Sequence, residues 1–455
     1  MTREPTVPRP PDTHFLRELA DDTDRLRTTR RAPQPRFAGA PAHLHDRLER
    51  AVEALAPELV EVSRALHRHP EPAFEEVVAV DTLTSALARH GIAARAGAYG
   101  VPTAFEATTG TGGGPRVAIL SEYDALPGVG HGCGHNVIGA AGLGAVLALH
   151  ALAAEDPAAV PGTVVHLGTP AEEGHSGKEH MARGGAFAPG SLDAAIMVHP
   201  YGYDLADQVW LGRRVLSVDY AGVPAHASAQ PFMGRNALDA AVLAYQGIGL
   251  LRQQMAPVDR IHAIITEGGT RQSIITERAR MELYVRSKYP AMLRDLSRRV
   301  DQIVRAAAAM SDCGVDVRWD EHPPTLSVRT SRPLEERWVA AQRRRGREPL
   351  PLGVVPEVSA ASTDFGNVSF RVPGIHPLIK VAEEDVALHT REFAAAAGGP
   401  AGDRAVVDGA YGLAQTALDV LWDADLRGAV AREFADAGGP VDVATYFEAD
   451  RPAEA

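Results

Sequence analysis

Two neighbouring stretches carry the densest set of side chains able to do chemistry. Ser121-Glu122-Tyr123-Asp124-Ala125-Leu126-Pro127 is followed almost at once by His131-Gly132-Cys133-Gly134-His135-Asn136. A thiolate and an imidazole two residues apart, with glycine between, can both turn toward one divalent ion. Cysteine sulfur and histidine nitrogen suit zinc, and with carboxylates nearby also manganese, cobalt or nickel. The glycines let the backbone fold tightly about such an ion. Asp124 can hold a ligand imidazole by its other nitrogen. The same residues also read as a polar glycine loop in a chain with 18 histidines. Cys133 could instead pair with Cys313, although a reducing compartment disfavours that disulfide.

The stretch Gly168-Thr169-Pro170-Ala171-Glu172-Glu173-Gly174 follows an apolar run and presents adjacent carboxylates. As a solvated loop tip they would simply repel. As a site they divide the work. Glu173 binds a metal, while Glu172 stays free as general base for a metal-activated water, whose pKa a cation lowers from about 16 toward ~7. His199 ends an apolar run and His389 follows the acidic stretch 383–385; each alone reads equally as a core, capping or loop histidine. Cys133, His135, Glu173, His199 and His389 exceed what one four-coordinate zinc needs. They are enough for two divalent ions sharing a bridging ligand. Rival motifs fail on spacing. In Gly174-His175-Ser176-Gly177-Lys178, Gly177 directly follows Ser176, which breaks a serine-hydrolase elbow. Glu172 and Glu179 stand where a phosphate loop needs glycine and Ser/Thr.

These loops need a scaffold, and the periodicity supplies one. Residues 44–94 are mainly helical, interrupted at Pro70–Pro72. Apolar runs at 116–120, 163–168 and 194–199 are buried-strand candidates, and 137–154 is a long apolar helix. Alternation of this kind predicts an α/β catalytic domain built on a mostly parallel sheet, with the site beyond the carboxyl ends of its strands. From residue 213 the order becomes strand (216–221), helix (237–255), strands (261–266, 280–287), helix (291–310) and strand (315–318). That order reads as an inserted ferredoxin-like α+β module, a lid or dimerisation domain whose edge strand could pair with a second copy. The expected domains are therefore a Pro/Arg-rich extension at 1–44, catalytic segments at 45–212 and 326–455, and the insert at 213–325. The extension reads as a loose arm with one short helix around 14–26. Residues 335–345 begin the return to the catalytic domain, which closes with a helix at 408–422.

The 455 residues include 45% hydrophobic and 23% charged side chains, a globular balance too long for one core. Forty-six basic against 58 acidic residues give a net charge of −12. That acidity argues against nucleic acid or an anionic membrane as partner and leaves a small molecule. Two cysteines make no disulfide framework, so a cytoplasmic setting is expected. No run approaches the ~18 consecutive apolar residues of a membrane span.

In this order the motifs resemble the aminoacylase and hippurate hydrolase family of co-catalytic metallopeptidases, with particular likeness to its p-aminobenzoyl-glutamate hydrolase and β-alanyl-dipeptide hydrolase branch. The likeness spans residues 66–422. It includes Leu66-His67-Arg68-His69-Pro70-Glu71, the three stretches above, and Pro224-Ala225-His226-Ala227. Gly234-Arg235-Asn236, Ser362-Thr363-Asp364-Phe365-Gly366-Asn367 and His389-Thr390-Arg391-Glu392-Phe393 complete it.

The resemblance implies that Cys133 bridges two ions, completed by His135, Glu173, His199 and His389, with Glu172 as general base. It implies that His226 stabilises the oxyanion, often in a neighbouring subunit of a homodimer. Asn236, Ser273, Arg286 and Thr363 are the implied substrate contacts, Arg286 as a carboxylate clamp. Relatives carry an asparagine where this chain has Ser273, so the substrate pocket is expected to differ. The implied reaction is cleavage of an amide in an N-acyl amino acid, aminobenzoyl-amino acid or dipeptide. A specialised deacylase of a natural-product or toxin pathway and a catalytically silent metal- or ligand-binding relative are the alternatives.

Overall fold

A computed structural model of the chain describes residue 8 and residues 11–448. The other residues of the expected N-terminal extension up to residue 10, and the end of the C-terminal tail, lie outside the described residues. Three helices open the fold: α1 (His14–Thr29), α2 (Ala42–Arg68) and α3 (Val77–Arg89). The arm between α1 and α2 is tied down rather than loose. Ala40 N–H donates to Asp419 at 2.8 Å and Arg36 pairs with Glu336 at 2.9 Å. Both carboxylates are buried and need those donors, which is why a Pro/Arg-rich segment becomes ordered.

Strands β1 (Ala94–Ala96), β2 (Phe105–Gly110) and β3 (Arg116–Ser121) lead to α4 (His135–Glu155), then to β4 (Thr163–Gly168) and α5 (Gly177–Arg183). The apolar run expected as one strand at 194–199 divides into β5 (Ala194–Ile196) and β6 (His199–Tyr201). The inserted unit follows as β7 (Gly212–Ala221), α6 (Ala237–Leu251), β8 (Arg260–Glu267), β9 (Arg278–Ser287), α7 (Pro290–Met310) and β10 (Gly314–Trp319). The chain then returns through α8 (Arg332–Arg344), α9 (Phe365–Ser369), β11 (Gly374–Ile375), β12 (Leu378–Lys380), α10 (Arg391–Ala397) and α11 (Pro400–Trp422). It ends in α12 (Ala424–Asp436) and α13 (Val443–Glu448).

The larger sheet has the order β1-β2-β4-β3-β5-β11. Its centre is parallel (β4, β3, β5, β11), as the buried apolar runs predict, while β1 and β2 add an antiparallel edge. β6 leaves this sheet to pair with β12, which turns His199 toward the strand ends. α4 is apolar on every side and is buried almost throughout between α2, α11 and the sheet. By length and composition alone it could cross a bilayer, but here it is a core helix. The inserted unit is a four-stranded antiparallel sheet, β10-β7-β9-β8, under α6 and α7, and its apolar core also includes Leu326, Phe370 and, from α13, Val443 and Phe447. This is the expected split βαβ order, and β10 and β8 are its edge strands.

Burial inside the larger sheet makes one histidine a gauge of acid stability. His166 on β4 is fully enclosed, with Nε2 on Ser121 Oγ at 2.9 Å and its ring edge-on to Phe105. Burial pushes its pKa down to about 3. Between that value and the unfolded ~6.5, the unfolded chain takes up a proton that the folded chain refuses. The stability contributed by the neutral ring is complete above pH 6.5 and is lost as pH falls toward 3. The variant His166→Gln should therefore show a flatter stability–pH profile in denaturant titrations over that window, by up to about 1.4 kcal/mol per pH unit.

Candidate metal centre

The site is assembled from four loops, and each is bent toward it by a local device. After β3 the chain runs through Glu122 and Asp124 to the Cys133 loop at the start of α4. Gly134 precedes α4 with φ +76, a left-handed conformation, and packs against Pro200. At Gly132 a Cβ would lie 3.2 Å from the Cα of His389 and 2.9 Å from Val129. Without one, His389 N–H reaches the Gly132 carbonyl at 2.9 Å. His389, Ala171 and Ser176 all hold positive φ despite carrying side chains. Strained backbone of this kind persists where its surroundings over-determine it. For Ala171 one restraint is Glu76, whose Oε1 accepts the Ala171 N–H at 2.8 Å. Burial, with Asp124 nearby, pushes Glu76 up to about 7.

The result is that the five ligand candidates converge. Cys133, His135 and His199 place donor atoms within 4.8 Å of one another, and so do Cys133, Glu173 and His389. Cys133 belongs to both groups. Glu172 forms a third group with His135 and Glu173 at the same spacing. His389 Nε2 lies 3.0 Å from Cys133 Sγ and 3.6 Å from Glu173. Cys133, His135 and His199 are buried, Glu172 and Glu173 are half-buried, and His389 is exposed, so access is from the His389 side.

The donors are also pre-oriented. Asp124 accepts from His135 Nδ1 at 3.0 Å and, through its other oxygen, from Glu173 N–H at 2.9 Å. One carboxylate thereby ties the cysteine loop to the glutamate loop and leaves His135 Nε2 free. His199 donates from Nδ1 to the Pro200 carbonyl at 2.7 Å, which leaves its Nε2 as the lone-pair nitrogen. His135 Nε2, Glu173 Oε1 and Glu122 Oε2 are buried without hydrogen-bond partners. Orphaned donor atoms facing one point fit a cation.

Charge makes the same case. Burial, with Glu173 beside it, pushes the Cys133 thiol well above its usual range. Burial also raises Glu172 well above the carboxylate range, helped by Glu122, Glu173 and Asp364. Burial opposes a charge on His135, but Asp124 outweighs it and raises that pKa well above normal. A pocket so rich in buried anions holds its protons until cations replace them. Cys133 and Cys313 are both free thiols, so the alternative disulfide does not form.

The remaining expected site residues lie apart from this cluster. His226 is exposed on a turn of the inserted unit, its Nδ1 accepting from Ser228 and Ala229 N–H. Ser273 is exposed nearby, its carbonyl accepting from Ala227 N–H. Asn236 caps α6, with Oδ1 accepting from Leu238 N–H and Nδ2 donating to Asp239. Thr363 is buried and accepts from Phe365 N–H. Arg286 sits on β9 between Arg213 and Arg260 on neighbouring strands. It lines a cleft of about 500 Å³ with Leu211, His262 and Lys288. Like charges in register repel, and the arrangement suits an anion.

Several residues around the cluster were not singled out from the sequence as parts of the site. Glu122 and Asp364 lay inside quoted motifs, and Lys178 lay in a segment weighed only as a phosphate loop or a hydrolase elbow. Glu76 and His376 carry no local signal. His376 is buried with both ring nitrogens unpartnered, stacked on Trp210 at 4.8 Å and 5.6 Å from His199.

Comparison with known proteins finds a family and relatives. Residues 118–402 match the profile of Peptidase family M20/M25/M40. The chain is 38% identical to the Xaa-Arg dipeptidase of Mus musculus, over 86% of this chain and 90% of that protein. It is 32% identical to a subunit of the p-aminobenzoyl-glutamate hydrolase of Escherichia coli (strain K12), over 60% of each. The Bacillus subtilis YXEP protein, a dinuclear metal-binding peptidase, shares the fold with a TM-score of 0.62 at 20% identity, over 81% of this chain and 99% of that one.

Asp124 gives the arrangement a direct test. Asp124→Asn keeps the shape but weakens the acceptor that orients His135. Its affinity for a divalent ion, measured by calorimetry on ion-free protein, should fall about 10–100-fold.

Proposed function

The chain belongs to Peptidase family M20/M25/M40 and is a hydrolase; we propose that its reaction is cleavage of an amide bond in a small carboxylate-bearing substrate. N-acyl amino acids, aminobenzoyl-amino acids and dipeptides are the substrate classes. The observation that carries this reading is the pair of three-residue groups sharing Cys133, with the Glu172 carboxylate beside them.

Cys133 would bridge two divalent ions, with His135 and His199 on one side and Glu173 and His389 on the other. Zinc and manganese suit these donors, as do cobalt and nickel. When bound, such a pair supplies a Lewis acid and a water acidified toward neutral pH. Glu172 would act as the general base that accepts a proton from the attacking water and returns it to the leaving amine. Asp124 keeps both loops in register throughout.

Arg286 clamps the substrate carboxylate, since guanidinium binds carboxylate through two parallel hydrogen bonds. His226 stabilises the oxyanion. Its exposed position, remote from the cluster's hydrogen bonds, favours supply from a second copy of the chain. Ile264 and Ile265 are exposed on the edge strand β8, which supports a homodimer through the inserted unit and a lid function for it. The net charge of −12 favours a small molecule over nucleic acid as partner. Two unpaired thiols fit the reducing cytoplasm.

The test is turnover of a panel containing N-acyl amino acids, p-aminobenzoyl-glutamate and dipeptides ending in arginine. Metal-loaded wild type should cleave members of the panel, and Glu172→Gln should lose roughly 10²–10⁴-fold in kcat while keeping its ions. A fully active glutamine variant would remove Glu172 from the role of base. Arg286→Met should raise KM for carboxylate-bearing substrates with a smaller effect on kcat.

A further inference from the structure

Three charges are buried together beside the metal cluster, and the reaction above uses none of them. Lys178 Nζ donates to Asp364 Oδ1 at 2.6 Å and to Glu122 Oε1, and all three side chains are fully enclosed. Lys178 N–H also donates to Asp364 Oδ2 at 2.9 Å. The partners come from separate segments: Glu122 directly follows β3, Lys178 lies in the first turn of α5, and Asp364 precedes α9. Taking an ammonium and two carboxylates out of water costs several kcal/mol per ion before their attraction is counted. Stability alone is a poor reason to retain such a group.

One carboxylate would neutralise Lys178, so the second leaves an excess negative charge, and its direction is visible. The other oxygen of Glu122, Oε2, has no hydrogen-bond partner and is buried. It lies 3.6 Å from His135 Nε2, which is buried and unpartnered in the same way. That separation is long for a hydrogen bond. Two ligand atoms of one tetrahedral ion, each about 2.1 Å from it, stand about 3.4 Å apart.

We propose that Glu122 is a further carboxylate of the metal centre, its free oxygen facing the ion held by His135 while Lys178 grips the other oxygen. Asp364 is the positioning partner that holds Lys178. The proposal rests on the metal-centre reading and adds a ligand-side residue to it. Lys178 keeps Glu122 from swinging away when no ion is present, and it leaves one oxygen, not two, for the ion.

The experiment titrates Co²⁺ into ion-free, full-length protein by calorimetry and follows the cobalt absorption bands. Wild type should take up two ions. Glu122→Gln keeps the volume and can still accept from Lys178, but presents an amide N–H₂ to the ion. One binding step should weaken about 10–100-fold with shifted bands, while the other step stays unchanged. Lys178→Met should weaken the same step, and the double variant should be no weaker than Glu122→Gln. Glu122→Asp, which withdraws the carboxylate by one methylene, gives the same readout if the glutamine variant does not fold.

Two wild-type steps and an unchanged spectrum in Glu122→Gln would overturn the proposal and leave the metal centre standing. A lowered melting temperature of the ion-free variant, with wild-type cobalt binding, would equally reduce Glu122 to a structural role. Wild type that binds no ion would remove the metal centre itself.

Discussion

The loop carrying His389 lies directly on the loop carrying Cys133, so close that a Cβ at residue 132 would stand 3.2 Å from the His389 Cα. The absence of a side chain at Gly132 lets the loops meet without displacement, and the His389 N–H reaches the Gly132 carbonyl at 2.9 Å. The rest of the cluster is arranged around this contact. His389 takes a left-handed conformation to reach it. Gly134 takes another so that α4 can start immediately behind the cysteine. The long apolar helix is thereby aimed at the site by its first residue, His135, and anchored in the core along the rest of its length.

Electrostatics then sets the chemical character of the site. Glu122, Asp124, Glu172, Glu173 and Asp364 gather around one point, and the fixed cation among them is Lys178. Buried anions without counter-charges hold protons, which is why Cys133 and Glu172 both resist ionisation in the bare pocket. Cations bound there would supply the missing positive charge and release those protons. Asp124 has the opposite task. Its two oxygens are both committed to donors, so it is held ionised and can orient His135 and the glutamate loop together.

The architecture divides its labour accordingly. The parallel centre of the sheet delivers β3, β4 and β5 side by side, so the loops that follow them meet at one end. β6 breaks away to pair with β12 and brings His199 across the opening. The core of the inserted unit also takes in Leu326, Phe370 and, from α13, Val443 and Phe447, and its strands carry a row of arginines, Arg213, Arg286 and Arg260. The converging donor groups and the arginine row thus lie on different sheets.

Much of this was readable in the chain because it is local. β4 spans the predicted residues, since a short β-branched run has one way to be buried in a parallel sheet. The five ligand candidates were legible as a set, through the order of the motifs that carry the resemblance, and not one by one, because a single histidine or glutamate reads equally as a core, capping or loop residue. The order of the inserted unit followed from its alternating periodicity. The antiparallel edge formed by β1 and β2, the separation of β6 from β5, and the docked arm did not follow, because each depends on a partner elsewhere. The same holds for the buried group of Glu122, Lys178 and Asp364, whose members lie 56 and 186 residues apart. Sequence determines which donor atoms exist and which local turns they occupy. Only the folded chain decides which charges share one low-dielectric space, because that depends on distances the order of residues does not contain.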